Sequence, residues 1–150
     1  MKVCIGGTFN ILHKGHKSLI DRAYDFAGKN GSVFIGLATG KLVEHKKSVK
    51  SLELRKKNLG EYLTKKGFIS RSTIKSIEDK YGPSIDEDFD AIVASPETIK
   101  TAEEINKKRI QKGKKPLRII QVPFVLAKDG KPISSTRIIN KEIDENGEIL

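Results

Sequence analysis

One cysteine and three histidines are all that this 150-residue chain offers as soft or borderline metal ligands. A lone thiol, Cys4, cannot close an internal disulfide, and it sits in an apolar, strand-like run; a reduced, cytoplasmic setting is expected. No third ligand stands at a zinc spacing from His13 and His16, so no protein-held metal is expected. Aromatic residues make up only 6% of the chain and do not interleave with the basic runs, which speaks against a stacking platform for single-stranded nucleic acid. The strongly apolar stretches are no longer than strands, so none is expected to span a membrane. Met1-Lys2-Val3-Cys4-Ile5 runs straight into Gly6-Gly7 and leaves no room for a signal-peptide apolar region. Repeats, linkers and low-complexity segments are missing. So are the Walker loop and the dinucleotide G-x-G-x-x-G pattern, and no Ser-His-Asp or Cys-His signature is present.

What is present is positive charge: 29 Lys and Arg against 19 Asp and Glu, a net charge of +10. Basic runs fall at Lys46-Lys47 through Lys56-Lys57 and at Lys107-Lys108-Arg109 through Lys114-Lys115. Such a balance suits either a nucleic-acid binder or a protein that holds polyphosphates; for most single lysines it marks only a solvated face. Apolar clusters recur throughout, so disorder is expected only at the ends.

The pattern alternates. A strand at Lys2–Ile5 precedes a helix marked by Leu19, Ile20, Ala23, Tyr24 and Ala27, with Gly28 and Gly31 at its end. A second strand covers 32–38, and a second helix carries Leu52, Leu59 and Leu63, with Ser51 as N-cap and Gly67 beyond it. A weaker strand is expected at 73–77 and a loop from Asp79 to Asp90. A buried strand follows at 90–94. Ser95-Pro96-Glu97 then reads as the cap and first turn of a helix whose inner face is Ile99, Ala102, Asn106 and Ile110. A last strand over 117–125, interrupted by Pro123, leads to a short helix capped by Ser134-Ser135-Thr136 and to a polar tail from about residue 140. The alternation predicts an α/β chain, a doubly wound parallel sheet of about five strands flanked by helices in one domain over residues 1–150. Ligands of such sheets bind outside the strands' carboxyl ends, here the loops after Ile5, Ala38, Ala94 and Val125.

The first of those loops, Gly6-Gly7-Thr8-Phe9-Asn10-Ile11-Leu12-His13-Lys14-Gly15-His16, is the most informative stretch. Two glycines after a strand let backbone N–H groups approach a phosphate, and Thr8 adds a hydroxyl. His13 and His16 stand near a helix start, whose dipole favours anions. Each feature alone is ordinary: a double glycine is usually a turn, and a single histidine is usually packed or on the surface. Near the other end, Ile133-Ser134-Ser135-Thr136-Arg137 is by itself a helix cap. The arginine opposes the dipole, which makes sense if a polyphosphate binds there.

Together, Gly6-Gly7-Thr8-Phe9, His13-Lys14-Gly15-His16 and Ile133-Ser134-Ser135-Thr136 resemble the signature of the nucleotidylyltransferase superfamily. Over nearly its whole length the chain is most similar to archaeal-type phosphopantetheine adenylyltransferases, also found as a domain of eukaryotic CoA synthase. The stretch Phe89 to Thr98, continuing through Ala102, Asn106 and Arg109, carries that finer likeness. The resemblance implies a Rossmann-like fold. It implies transfer of AMP from ATP to 4′-phosphopantetheine, giving dephospho-CoA and pyrophosphate, with Mg²⁺ carried on the ATP phosphates. It also implies site roles: His16 and Lys46 catalytic; Gly7, Thr8, Phe9, His13, His16, Ser134, Ser135, Thr136 and Arg137 for the nucleotide; and Thr8, Lys46 and Arg109 for the acceptor. The superfamily usually carries Asp where this chain has Asn10, which puts Asn10's role in question. The remaining readings are the same chemistry on FMN, nicotinamide mononucleotide or a phosphoalcohol with CTP, and a basic nucleic-acid-binding module. Neither a nucleic-acid nor a membrane partner is expected, and oligomeric state is left open. An acceptor that is already a phosphate anion needs no deprotonation, which suits a chain with no nucleophile–base pair.

Overall fold

A computed structural model describes residues 1–46 and 48–150; Lys47, part of the first basic run, lies outside them. Five strands form one parallel sheet: β1 (Lys2–Gly7), β2 (Ser32–Ala38), β3 (Ser72–Ile77), β4 (Ala91–Ala94) and β5 (Arg118–Gln121). Their spatial order is β3-β2-β1-β4-β5. The chain winds outward from β1 through β2 to β3, then returns to place β4 on the other side of β1. The order therefore reverses between β1 and β4, and the crevice at their carboxyl ends is the natural ligand position.

Alternation along the strands divides the core in two. Val3 and Ile5 face one side with Val33, Ile35, Leu37, Ala91 and Val93. There they meet α1 (Lys14–Ala27) through Leu19, Ile20, Ala23 and Tyr24, and α2 (Leu52–Lys65) through Leu59 and Leu63. Cys4, Ile92 and Ala94 face the other side and meet Ala102 and Ile105 of α3 (Ile99–Gln111). Leu59 and Leu63 are fully buried; each such leucine is worth about 1.5–3 kcal/mol relative to an exposed one. Helix ends follow local chemistry. Ser51 accepts the Leu54 N–H at the start of α2, and the Gly28 N–H returns to Tyr24 O at the end of α1.

The structure corrects four expectations. Helix α3 starts at Ile99, not after Ser95: the Thr98 hydroxyl accepts the Ser95 N–H at 3.0 Å, and the Thr98 N–H returns to Ser95 O, closing a turn ahead of the helix. Its buried stripe is Ala102, Ile105 and Arg109, while Ile110 is 59% exposed. Strand β5 ends at Gln121, short of Pro123, which has no N–H for a ladder. The tail from residue 140 is folded. Its Ile143 is fully buried with Ala127 and Ile133 in a third, small core beside α4 (Ser135–Ile139). Among the described residues no helix is long and apolar enough to cross a membrane.

Candidate active site

A cleft of about 950 Å³ opens at the carboxyl ends of β1 and β4. The two motifs from opposite ends of the sequence share it: Gly7, Thr8, Phe9, His13 and His16 line it together with Lys46, Ser134, Ser135 and Thr136. Ser135 Oγ stands 3.4 Å from both the N–H nitrogen and the carbonyl oxygen of Ile11. The same carbonyl accepts from His16 Nδ1 at 2.9 Å, so one peptide oxygen joins both motifs.

The H-x-G-H spacing has a mechanical explanation. His13 is the N-cap of α1, and its Nδ1 accepts the N–H groups of Gly15 at 3.0 Å and His16 at 3.3 Å. A Cβ on Gly15 would lie 2.9 Å from His13 Cε1, so the capping ring requires glycine there. Lys14 N–H goes to Glu145 O at 3.1 Å and Lys17 N–H to His13 O at 3.0 Å. All four N–H groups of the first turn thus have protein acceptors. An anion near α1 therefore feels the helix dipole but gains no free N–H from the first turn.

Proton placement follows. His13 Nδ1 accepts twice, so its proton is on Nε2; His16 Nδ1 faces a carbonyl, so it carries the proton and Nε2 is left as the acceptor. The rings stack with centroids 3.7 Å apart. Burial lowers the pKa of His13 to about 4. Burial first, then the neighbouring His13, lowers that of His16 to about 3, with Lys46 adding to the effect. Both rings are neutral at pH 7. Phe9 lines the cleft, but its ring is core, 5.1 Å from the His16 ring centroid, and its φ of 47° holds the loop in a left-handed bend.

Lys46 donates to Thr8 Oγ1 at 2.7 Å, which places an ammonium and a hydroxyl at one point of the cleft. The loop that carries Lys46 is pinned by Asn10. Its Nδ2 donates to Ser48 O at 3.1 Å and its Oδ1 accepts the Lys50 N–H at 2.8 Å. An aspartate could accept but not donate here, so the amide fits this loop where the usual carboxylate would meet a carbonyl.

Two expected ligands have other work. Arg109 is 3% exposed and is not among the residues lining the cleft. Its guanidinium donates to the carbonyls of Ser84, Ile85, Glu87 and Lys115 at 2.7–3.2 Å. Arg137 does not line the cleft either. It pairs with Asp129 and donates to Pro132 O at 3.1 Å and Glu142 Oε1 at 3.4 Å, which explains an arginine in the first turn of α4 without an anion. Sequence reasoning missed Arg55. Buried in α2, it donates to Thr8 O at 3.0 Å, Ala38 O at 2.7 Å and Lys50 O at 2.9 Å, tying three loops of the cleft together. The signal was its place on the face of Leu59 and Leu63.

Among the described residues no group of three His, Cys, Asp or Glu is arranged to hold a metal, and Glu97 is the one carboxylate lining the cleft. The arrangement can bind a polyanion through hydroxyls, an ammonium and imidazoles.

Comparison with known proteins shows the family and the fold. A family model for cytidylyltransferase-like proteins matches residues 4–141. The phosphopantetheine adenylyltransferase of Methanosarcina mazei is 46% identical over 149 residues, covering 99% of this chain and 96% of that one. That of Archaeoglobus fulgidus is 41% identical over 151 residues, covering 100% of both. A crystal structure of a protein of unknown function from Archaeoglobus fulgidus superposes with a TM-score of 0.74 at 39% identity, covering 81% of this chain and 89% of that one.

Proposed function

Because the chain belongs to the cytidylyltransferase-like family, among its phosphopantetheine adenylyltransferases, we propose that it transfers AMP from ATP to 4′-phosphopantetheine. The observation that carries this reading is the meeting of Thr8, Lys46 and His16 with Ser134 and Ser135 in one cleft. A phosphate oxygen of the acceptor attacks Pα of ATP. The new P–O bond forms as the bond from Pα to the β-bridging oxygen breaks; pyrophosphate leaves and dephospho-CoA remains. No proton must be removed from the nucleophile.

The protein's task is alignment and charge neutralisation. Lys46 and Thr8, already 2.7 Å apart, hold the acceptor phosphate against Pα. His16, anchored by Ile11 O, offers Nε2 to the α-phosphate; the negative charge of the triphosphate raises its pKa and favours the imidazolium that can donate there. His13 fixes the turn. Ser134, Ser135 and Thr136 hold the β- and γ-phosphates. Mg²⁺ fits this donor set as a companion of the nucleotide: it would sit on phosphate oxygens, with the neutral oxygens of Thr8, Ser134 and Ser135 suited to complete its shell, and would offset the phosphates' charge. A cytoplasmic setting fits the unpaired, buried Cys4. No nucleic-acid partner belongs to this reading.

A pyrophosphate-release screen tests it. ATP and CTP are offered against 4′-phosphopantetheine, FMN, nicotinamide mononucleotide and a phosphoalcohol. Release with ATP and 4′-phosphopantetheine at least tenfold faster than with any other pair is expected. Preference for another acceptor would overturn the assignment.

A further inference from the structure

Residues 142–150 follow the last helix, lie beyond the stretch matched by the family model, and do not line the cleft. They nevertheless touch both motifs that do. Ile143 is fully buried in a cluster with Ile133, the residue before Ser134, and packs with Ile138 of α4. The segment folds back on itself through an antiparallel bridge between Ile143 and Ile149, with the Leu150 N–H donating to Glu142 O at 3.1 Å. It is fastened to the preceding loop by Lys128 N–H to Gly147 O at 2.9 Å and by the Lys128–Glu148 ion pair. From its tip, Glu145 O accepts the N–H of Lys14, the first residue of α1, at 3.1 Å.

We propose that residues 142–150 are a positioning clamp that holds the His13–His16 turn and the Ser134–Thr136 turn in register for one bound triphosphate. The inference rests on the adenylyl-transfer reading above. Helix α4 spans only Ser135–Ile139, too short to be stable on its own. The direct contact between the two turns, Ser135 to Ile11 at 3.4 Å, is at the weak end for a hydroxyl. Their relative placement therefore depends on the segment that is bonded to one and packed under the other. Ile143, Glu145 and Gly147 are its positioning residues; none of them lines the cleft. Transfer chemistry is sensitive to such placement, since a displacement of about 1 Å can cost about 10²-fold in rate.

Lys14→Pro cuts the clamp at a single bond. Lys14 is the first position of α1, where proline is tolerated, and His13 already has the extended φ of −121° and ψ of 178° that precede a proline. Lys14→Ala keeps the N–H and is the control, with turnover expected within twofold of wild type. Relative to that control, Lys14→Pro should lower kcat about tenfold and raise KM for ATP, with Tm lower by only about 2–4 °C. Gly147→Ala strains the other end: its φ is +84°, and a new Cβ would meet Ala127 Cα and Ile133 Cδ1 at 2.9 Å. It should lower kcat similarly, and adding Ile133→Val, which removes that Cδ1, should restore part of the loss. By amide hydrogen exchange, Gly147→Ala should speed exchange in residues 14–17 and 134–139 together and leave α2 and α3 unchanged. The proposal is overturned if Lys14→Pro turns over as fast as Lys14→Ala, or if Gly147→Ala lowers Tm with kcat unchanged and the two turns exchanging independently. Should Lys14→Pro not fold, Gly147→Ala decides. The exchange readout needs no substrate: a wild-type protein without adenylyl transfer would sink the functional reading and leave the coupling of the turns still decided.

Discussion

Arg55 and Arg109 perform the same operation on two different walls of the cleft. Each is buried, at 2% and 3% exposure, and each donates to backbone carbonyls rather than to a carboxylate. Arg55 joins the loops that present Thr8 and Lys46, so its wall carries the groups proposed to act on the phosphates. Arg109 joins the 84–87 loop to Lys115 and shapes a wall with Ser84 and Ile105, away from the groups proposed to act on the phosphates. The contrast teaches that an arginine in a cation-rich chain need not meet the anion. A guanidinium with several donors can close loops whose carbonyls would otherwise be buried without partners.

Loss of His16 or Lys46, on the Arg55 wall, should have the largest effect. His16→Ala or Lys46→Ala should lower kcat by about 10²–10³, the usual effect of losing one preorganised donor, with a wild-type circular dichroism spectrum. Near-normal turnover in both folded variants would remove the chemistry from that wall. The arginines come next. Arg55→Lys and Arg109→Lys should each cost about 1–3 kcal/mol in denaturant titration, because buried carbonyls lose donors. Only Arg55→Lys should also lower kcat, by about tenfold. Equal kinetic losses in the two would erase the distinction.

Acid sensitivity should also be one-sided, since the histidines at the cleft with lowered pKa stand on the Arg55 wall. In the fold the values are about 4 for His13 and about 3 for His16, against 6.5 for the free side chain. Between those limits the unfolded chain binds more protons than the folded one, so stability rises with pH from about 3 to about 6.5 and levels off above. Denaturant midpoints should fall as pH drops from 7 to 5. His13→Asn, which keeps a capping side chain, should flatten that slope; an unchanged slope would mean that His13 binds protons alike in the folded and unfolded chain. The smallest effect belongs to Cys4, on the Arg109 side of the sheet. Burial pushes its thiol up to about 11, so it is neutral and inert, and Cys4→Ser should change kcat by less than about twofold.

Much of this was legible in the residues. Strands β2 and β4 read closely because Val33, Ile35 and Leu37, or Ala91 and Val93, are buried on one face while their neighbours are buried on the other; β5 reads too long, past Gln121. The Gly7–His16 and Ile133–Thr136 motifs were found because each clusters unusual residues within a few positions. What the sequence hid is long-range partnership. Arg137 reads as an anion ligand until Asp129 and Glu142 are seen beside it. Arg109 reads as part of a basic run and, by the family resemblance, as an acceptor ligand, although Ala102, Ile105 and Arg109 fall on one helical stripe that could have turned it inward. The tail after residue 140 reads as polar because its burial rests mainly on Ile143, and its bonds are made by backbone atoms with no signature.

The most direct test follows the phosphorus. ATP labelled at the α-phosphate is incubated with 4′-phosphopantetheine, and a parallel reaction carries the label at the γ-phosphate. The account predicts α-label in dephospho-CoA and γ-label in pyrophosphate, in equal amounts. Label from the γ-position in the pantetheine product, or α-label released only as free AMP, would contradict it.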